Sequence, residues 1–271
     1  LIKYPFPFIT SLFDYKNRTI FILFRKLNVM KKVIWSLFDS ETAITQKLNS
    51  DEYIVYSIGL PSSSAITDNF IKMDLSKRSC WKKLEKLPKP DIIFASPPCE
   101  SWVAVSIGNV RFYKEWTNEW NLYWNTEFKG NKFKKVFEQR RLLGQKTAYF
   151  TAEIIKKFNP SLWCIENGSS SLIFKYLNNY HNLKGNQNKT YYSSYDNINF
   201  SKKPTIIYSN IKMNLRQDHK RGMKVIESVS SKKHKPGIKY LKDYSERSAV
   251  PIQLYQHILD IYEGKQQLNL F

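Results

Sequence analysis

One segment of the chain joins an apolar strand to a reactive side chain: Asp91-Ile92-Ile93-Phe94-Ala95-Ser96-Pro97-Pro98-Cys99-Glu100-Ser101-Trp102. The apolar run is short enough to be a buried strand, and the two prolines after it cannot continue a sheet ladder. A thiol just beyond the carboxyl end of a buried strand lies where open α/β sheets form their ligand crevice. An arbitrary cysteine of this kind is structural with odds of roughly four to one, so its role depends on the rest of the chain.

A second apolar strand also ends at a chemically active side chain. The run Leu162-Trp163-Cys164-Ile165 stops at Glu166-Asn167-Gly168. We expect Glu166 to be buried or nearly so, at the carboxyl end of its strand. Residues 137–158 form the longest helix candidate, because their apolar members fall near one helical face and Pro160 follows.

Strands and helices alternate from residue 30 onward. The predicted strands cover residues 33–38, 53–58, 70–73 and 92–95, and the predicted helices cover 41–48 and 81–87. This alternation predicts an α/β fold with a doubly wound, mostly parallel sheet. Two further strands, at 190–195 and 204–208, enclose a basic turn, and a final amphipathic helix begins near Pro251.

Charge is the strongest bulk signal in the composition. The chain carries 43 Lys and Arg against 23 Asp and Glu, a formal net charge of +20. Such a field favours a polyanionic partner, with nucleic acid first and an anionic membrane surface second, although abundant lysine can also reflect an AT-rich genome. No apolar run in residues 1–29 reaches the ~18 residues of a membrane-spanning helix.

Cysteine and histidine usage argues against a metal site. The three cysteines are odd in number and lack CxxC spacing, which indicates neither zinc nor a disulfide framework. His219 and His234 stand in a basic region without cysteines or a carboxylate cluster, so we predict no metal. Residues 101–136 interleave tryptophan and tyrosine with lysine, which suits stacking on bases and contact with phosphates; at about even odds, the tryptophans instead cover the core.

Four segments, in order along the chain, resemble the cytosine-C5 DNA methyltransferases, in particular the short members carried by bacteriophages. Residues 96–102 resemble the family's Pro-Cys nucleophile motif, and Ile165-Glu166-Asn167 resembles its Glu-Asn motif. Residues 203–210 resemble the strand after the substrate-facing motif, and residues 247–251 resemble the closing motif. Residues 35–40 fit the first-strand position, so the resemblance spans residues 30–262.

The resemblance implies a Rossmann-like methyltransferase fold and methyl transfer from S-adenosylmethionine to C5 of cytosine in double-stranded DNA, as in restriction–modification. Cys99 would add as a thiolate to C6, which makes C5 nucleophilic, and positive charge or helix-end amides would have to lower its pKa. A desolvated Glu166 would hold a proton near N3 of the base. The base must leave the duplex, because stacking hides C6.

The resemblance also assigns binding residues and a setting. The implied cofactor-binding residues are Phe38, Asp39, Ser40, Glu41, Asp74, Pro97, Ser248 and Val250. The implied nucleic-acid contacts are Trp102, Lys202, Lys203 and Arg221. No membrane partner is implied, and the protein is expected in the cytoplasm of a bacterial or phage-infected cell.

The expected domain organisation has three parts. Residues 1–29 are an extension outside the domain, residues 30–189 and 245–271 form the catalytic domain, and residues 190–244 form a small basic DNA-contacting region. The turn at residues 38–43 lacks the family's glycines, and no acidic residue follows the second strand to hold the ribose. A catalytically inactive nucleic-acid binder that kept the methyltransferase fold is therefore the alternative, and DNA and RNA substrates are not distinguished by the residues themselves.

Overall fold

The computed structural model describes residues 30–39, 44–60, 69–103, 113–116, 120–122, 131–218, 226–228, 239–241 and 249–265. The compact unit that carries the site is Lys31–Phe271. The expectation for residues 1–29 lies outside the described residues. Within the described part, no helix is both long and apolar enough to cross a bilayer.

Eleven strands and four α-helices are described. The strands are β1 (Lys32–Leu37), β2 (Tyr53–Gly59), β3 (Phe70–Lys72), β4 (Ile92–Ala95), β5 (Tyr113–Trp116), β6 (Trp120–Leu122), β7 (Leu162–Gly168), β8 (Asn186–Tyr191), β9 (Pro204–Ser209), β10 (Ile226–Ser228) and β11 (Lys239–Leu241). The helices are α1 (Cys80–Leu84), α2 (Asn131–Phe158), α3 (Ile173–His181) and α4 (Ile252–Tyr262). Short 3-10 helices cover Ile44–Leu48, Cys99–Ser101 and Tyr192–Ser194.

Seven of the strands form one sheet in the order β3-β2-β1-β4-β7-β9-β8. Neighbours from β3 to β7 are parallel, while β9 is antiparallel to both β7 and β8. The strand order reverses between β1 and β4, which is the switch point where doubly wound sheets bind their ligands. This topology confirms the predicted fold class, a doubly wound, mostly parallel and Rossmann-like α/β sheet.

The sheet is buried on both faces, as parallel sheets require. On β4, Ile93 faces one apolar cluster with residues of α1, α2 and α3, whereas Phe94 faces a second cluster with residues of α4. Successive side chains of a strand point to opposite faces, so the continuous apolar runs that predicted β4 and β7 supply both clusters. Helices on both faces complete the doubly wound arrangement.

The last part of the sheet departs from the expected boundaries. Strand β8 begins at Asn186, and the predicted strand at 190–195 ends instead in the 3-10 helix Tyr192–Ser194. Because β9 lies between β7 and β8, residues 190–209 belong to the sheet, and the boundary expected at residue 190 falls inside β8. The helix expected at 41–48 is a 3-10 helix, Ile44–Leu48.

Two small ladders lie outside the main sheet. Strands β5 and β6 pair antiparallel within the aromatic segment at residues 101–136, and α2 begins at Asn131. Strands β10 and β11 pair in parallel within the basic region. The aromatic and basic side chains between residues 104 and 136 lie outside those that the structure describes.

Candidate active site

The sheet brings Cys99 and Glu166 to the same edge. Strands β4 and β7 are parallel neighbours, with Ala95 opposite Ile165, so their carboxyl ends lie side by side. Pro98 turns the chain after β4, and the 3-10 helix beginning at Cys99 follows at once. Cys99 is partly exposed and Glu166 is only 8% exposed, which confirms the burial expected for this carboxyl group.

Asn167 connects the two strand ends. Its Nδ2 donates a hydrogen bond to the carbonyl oxygen of Pro97 at 3.0 Å, and its Oδ1 accepts one from the backbone N–H of Gly168 at 3.1 Å. The side chain is fully buried, where an unpaired amide would be costly. The bond fixes the loop that carries Cys99 relative to the strand that carries Glu166.

Two groups approach a single oxygen of Glu166. The hydroxyl of Tyr192 donates to Oε1 at 2.6 Å, and Nζ of Lys203 lies 3.8 Å from the same oxygen. The ammonium of Lys203 also lies over the ring of Tyr192, 4.7 Å from its centroid. The carboxyl group is therefore held between a buried phenol and a cation.

The same lysine acts on the cysteine. Burial raises the pKa of the Cys99 thiol above its ordinary value; the charge of Lys203 opposes this shift, while Glu166 and Glu100 add to it. The net pKa is raised, so the expected lowering by basic surroundings does not occur in the free protein. Desolvation outweighs one nearby cation, and the thiol is mostly protonated at neutral pH.

Helix α2 packs against the turn that follows the nucleophile. Gly144 faces Ser101 so closely that an added Cβ would lie 2.5 Å from both Cβ and Oγ of the serine. The adjacent Trp102 is 2% exposed, and its ring packs on Tyr176 with centroids 5.0 Å apart. Trp102 thus belongs to the core, and its ring is not available to stack on a base as expected.

The crevice at the switch point is built without the glycine-rich turn. Phe38, directly after β1, has a φ of 60°, a left-handed conformation that is uncommon outside glycine. The backbone N–H of Asp39 donates to the carbonyl oxygen of Ile58, and a Cβ on Gly59 would collide with the carbonyl oxygen of Asp39. The glycine that allows this close approach is therefore supplied by β2.

Polar groups that follow β1 and β4, and one from α4, lie near this switch point. The carboxylate of Asp39 accepts a hydrogen bond from Thr45 Oγ1 at 2.5 Å. Helix α4, which packs in the same apolar cluster as the 3-10 helix Ile44–Leu48, contributes Tyr255. The pKa of Tyr255 is raised by burial and next by the charge of Asp39, and its hydroxyl is hydrogen-bonded to Ser96. Val250, just before α4, is buried.

Asp74 lies after β3 and is oriented by its own loop. Its Oδ1 accepts from the backbone N–H and the hydroxyl of Ser76, and its Oδ2 pairs with Lys77 at 3.1 Å. Burial acts to raise the pKa of this carboxyl group, but these contacts outweigh it and the pKa is lowered. A carboxylate has about four acceptor positions, so the ionised group can still accept from an adenine amine. Phe38, Asp39, Gly59 and Asp74 therefore lie at the carboxyl ends of the neighbouring parallel strands β1, β2 and β3.

The remaining predicted residues divide into three groups. Pro97 is buried and accepts the hydrogen bond from Asn167. Lys203, which was expected to contact DNA, places its Nζ 3.8 Å from Oε1 of Glu166. Lys202 is exposed, with Nζ 5.3 Å from the centroid of the Tyr191 ring. Ser40, Glu41, Ser248 and Arg221 lie outside the described residues. Within the described ranges, no group of three or more His, Cys, Asp or Glu side chains could hold a metal ion.

Sequence reasoning missed the residues that support the site. Tyr192 was read as part of a strand, and nothing in its local pattern separates it from the neighbouring tyrosines. Gly144 stands inside a helical pattern, where an isolated glycine often has a packing reason; that signal was present. The hydrogen bond from Asn167 to Pro97 could not be predicted from the sequence, because it depends on the pairing of β4 with β7.

No protein-family model matches the chain, and a search of curated proteins finds no match either. Among solved structures, the chain is similar to a DNA modification methyltransferase encoded within a prophage in E. coli, at 11% identity and a TM-score of 0.38, over 66% of this chain and 46% of that one. It is also similar to the S. pombe Dnmt2 methyltransferase, at 11% identity and a TM-score of 0.38, over 68% and 52%. The chain spans about half the length of these structures. Its fold assignment rests on the strand order itself.

Proposed function

We propose that this protein is a DNA (cytosine-5)-methyltransferase that uses S-adenosylmethionine. One observation carries the proposal: a partly exposed thiol and a buried carboxyl group lie at the carboxyl ends of adjacent parallel strands, joined by the Asn167–Pro97 hydrogen bond. Methylation of C5 needs both groups, because the ring becomes nucleophilic only when a thiolate adds to C6 while an acid holds a proton near N3.

Each residue of the site has a part in this chemistry. Cys99 bonds to C6, and Glu166 holds the proton near N3 as electron density builds there. Lys203 stabilises the thiolate form of Cys99, which burial disfavours. S-adenosylmethionine, when bound near Phe38, Asp39, Gly59 and Asp74, supplies an electrophilic methyl group. After transfer, a base removes the C5 proton and the Cys99–C6 bond breaks.

DNA as the substrate is supported by charge around the site. Lys189 and Lys202 both place Nζ near the ring of Tyr191, at 5.9 and 5.3 Å from its centroid, and both lysines are exposed. Together with the net charge of +20, they would contact phosphates of the duplex from which the cytosine is flipped.

Incubation with DNA and S-adenosylmethionine labelled in the methyl group tests the proposal. We expect label in DNA with the wild type and none with Cys99→Ala. Cys164→Ala is the matched control, because Cys164 is a buried core residue of β7 that has no part in the proposed reaction. Label transfer that survives Cys99→Ala would end the covalent mechanism.

A second candidate function is favoured by one departure at the cofactor side. Leu60 is 59% exposed directly after β2, where a carboxylate would hold the ribose. A nucleic-acid binder that kept the fold without catalysis would have no need for a ribose-binding carboxylate at this position. Calorimetry separates the two functions: binding of S-adenosylmethionine favours the enzyme, and DNA binding without it favours the non-catalytic binder.

A further inference from the structure

The carboxyl group of Glu166 is held asymmetrically. Tyr192 and Lys203 both approach Oε1, at 2.6 and 3.8 Å. Oε2 makes no hydrogen bond to any residue that the structure describes. When the carboxyl group is protonated, a proton on Oε1 would compete with these two donors, so the proton resides on Oε2.

Tyr192 is itself fixed by its surroundings. It is 1% exposed and lies at the start of the 3-10 helix between β8 and β9. Its backbone N–H donates to the carbonyl oxygen of Lys203 at 3.3 Å, and its ring packs edge-on against Phe200. Burial and the adjacent Glu166 raise the pKa of its phenol well above the ordinary value, so the group stays a donor throughout the working pH range.

Resting on the proposed function, we infer that Tyr192 is a positioning residue that directs the proton of Glu166 to Oε2, the oxygen left to face the cytosine ring. Tyr192 touches neither base nor cofactor in this role and acts only through Glu166. The groups that face the carboxyl from the surrounding elements are Tyr192, Lys203, Cys99 and Tyr255. Among them, Tyr192 is the one with a hydrogen bond short enough to fix the rotation of the carboxyl group.

The variant Tyr192→Phe removes one hydroxyl group and keeps the ring under the Lys203 ammonium. We expect kcat for methyl transfer to fall on the order of tenfold, less than the ~10²-fold or more that loss of a general acid costs. KM for DNA should not change, because the lost interaction matters only as the proton is engaged.

Tyr195→Phe is the matched control. Tyr195 is a buried tyrosine at the end of the same 3-10 helix, but its hydroxyl is hydrogen-bonded to Nδ1 of His257 at 2.9 Å and not to Glu166. Its loss should leave both kcat and the KM for DNA unchanged. Thermal unfolding of the two variants shows whether each remains folded to the same extent.

The decisive comparison places Tyr192→Phe in a Glu166→Gln background. If Tyr192 acts through Glu166, the second substitution causes no further loss of kcat. An equal further loss, an unchanged kcat in Tyr192→Phe alone, or the same loss in Tyr195→Phe overturns the inference while the wild type still transfers methyl groups. Absence of transfer by the wild type overturns the proposed function and this inference with it.

Discussion

Gly144 of α2 lacks a side chain at the point where Ser101 fills the space: a Cβ on the glycine would lie 2.5 Å from Cβ and Oγ of the serine. Real Cβ atoms do not approach so closely. Ser101 closes the 3-10 helix that begins at Cys99. Helix α2, the longest of the described helices, therefore packs at this glycine against the 3-10 helix that begins with Cys99.

Gly144→Ala should lower methyl-transfer activity. The free energy of unfolding should stay nearly the same or decrease. Alanine is favoured over glycine in a helix by ~1 kcal/mol, but crowding against Ser101 costs about 1–3 kcal/mol. Steady-state kinetics and urea unfolding measure the two effects. The double variant Gly144→Ala/Ser101→Gly removes the crowding atoms and should recover activity. A more stable Gly144→Ala protein with full turnover would contradict this packing role.

Asn167→Ala should reduce the free energy of unfolding by about 1–3 kcal/mol, because the buried carbonyl of Pro97 loses its partner. Activity should fall as well, since the cysteine loop is no longer fixed to β7. Asn178→Ala, on the exposed face of α3, is the control and should change stability by less than about 0.5 kcal/mol. Equal stability losses in both variants would argue against the link between the strand ends.

Lys203→Gln should slow alkylation of Cys99 by iodoacetamide at pH 8. The pKa of Cys99 is raised by burial and held down in part by Lys203, so removing the cation raises it further and lowers the thiolate fraction. We expect a decrease of roughly threefold to tenfold, since one pKa unit is tenfold. The exposed neighbour variant Lys202→Gln should react as the wild type does.

Peptide mass spectrometry assigns the alkylation to Cys99. Burial raises the pKa of Cys80 to about 11 and that of Cys164 to about 12, so both should react more slowly. Faster alkylation of Cys99 in Lys203→Gln would show that the lysine does not stabilise the thiolate.

Glu263→Gln should destabilise the protein at neutral pH by about 1 kcal/mol. Burial acts to raise the pKa of Glu263, but hydrogen bonds from Lys32 (2.6 Å) and Tyr53 (3.0 Å) outweigh it and the pKa is lowered. A lowered folded-state pKa gives stability that is present above the unfolded pKa and lost as pH falls through the folded one. The difference between variant and wild type in urea unfolding should therefore vanish at acid pH. A stability loss in Glu263→Gln that does not depend on pH would contradict this role of Glu263. So would an equal stability loss in Glu153→Gln, whose carboxylate pairs with Lys156 on the surface.

The strands that are apolar on both faces could be predicted from the sequence. Ile92–Ala95 is β4 as expected, because a continuous apolar run is what a doubly covered strand requires. Strand β8 could not be predicted, since it begins with Asn186-Gln187-Asn188-Lys189. Asn188 is buried there because its amide donates to the carbonyl of Ile207 and accepts from the N–H of Met213. Such partners exist only in the folded chain.

The chemistry-bearing residues were easier to predict than their environment. Cys99 and Glu166 could be predicted because each lies at the end of an apolar strand and matches a family motif. The charge that acts on both depends on how β9 pairs with β7. Lys203 was expected at DNA, yet its placement before β9 brings it to Glu166. Trp102 was expected at a base, yet burial against Tyr176 assigns it to the core.

Bisulfite sequencing of DNA from cells that express the protein tests the central claim most directly, because it reports methylation at C5 of cytosine and the sequence recognised together. We predict protected cytosines at a defined sequence with the wild type and none with Cys99→Ala or Glu166→Ala. Protection that persists in Cys99→Ala, or its absence in a wild-type protein that binds both DNA and S-adenosylmethionine, would contradict the assignment of Cys99 as the nucleophile of a cytosine-C5 methyltransferase.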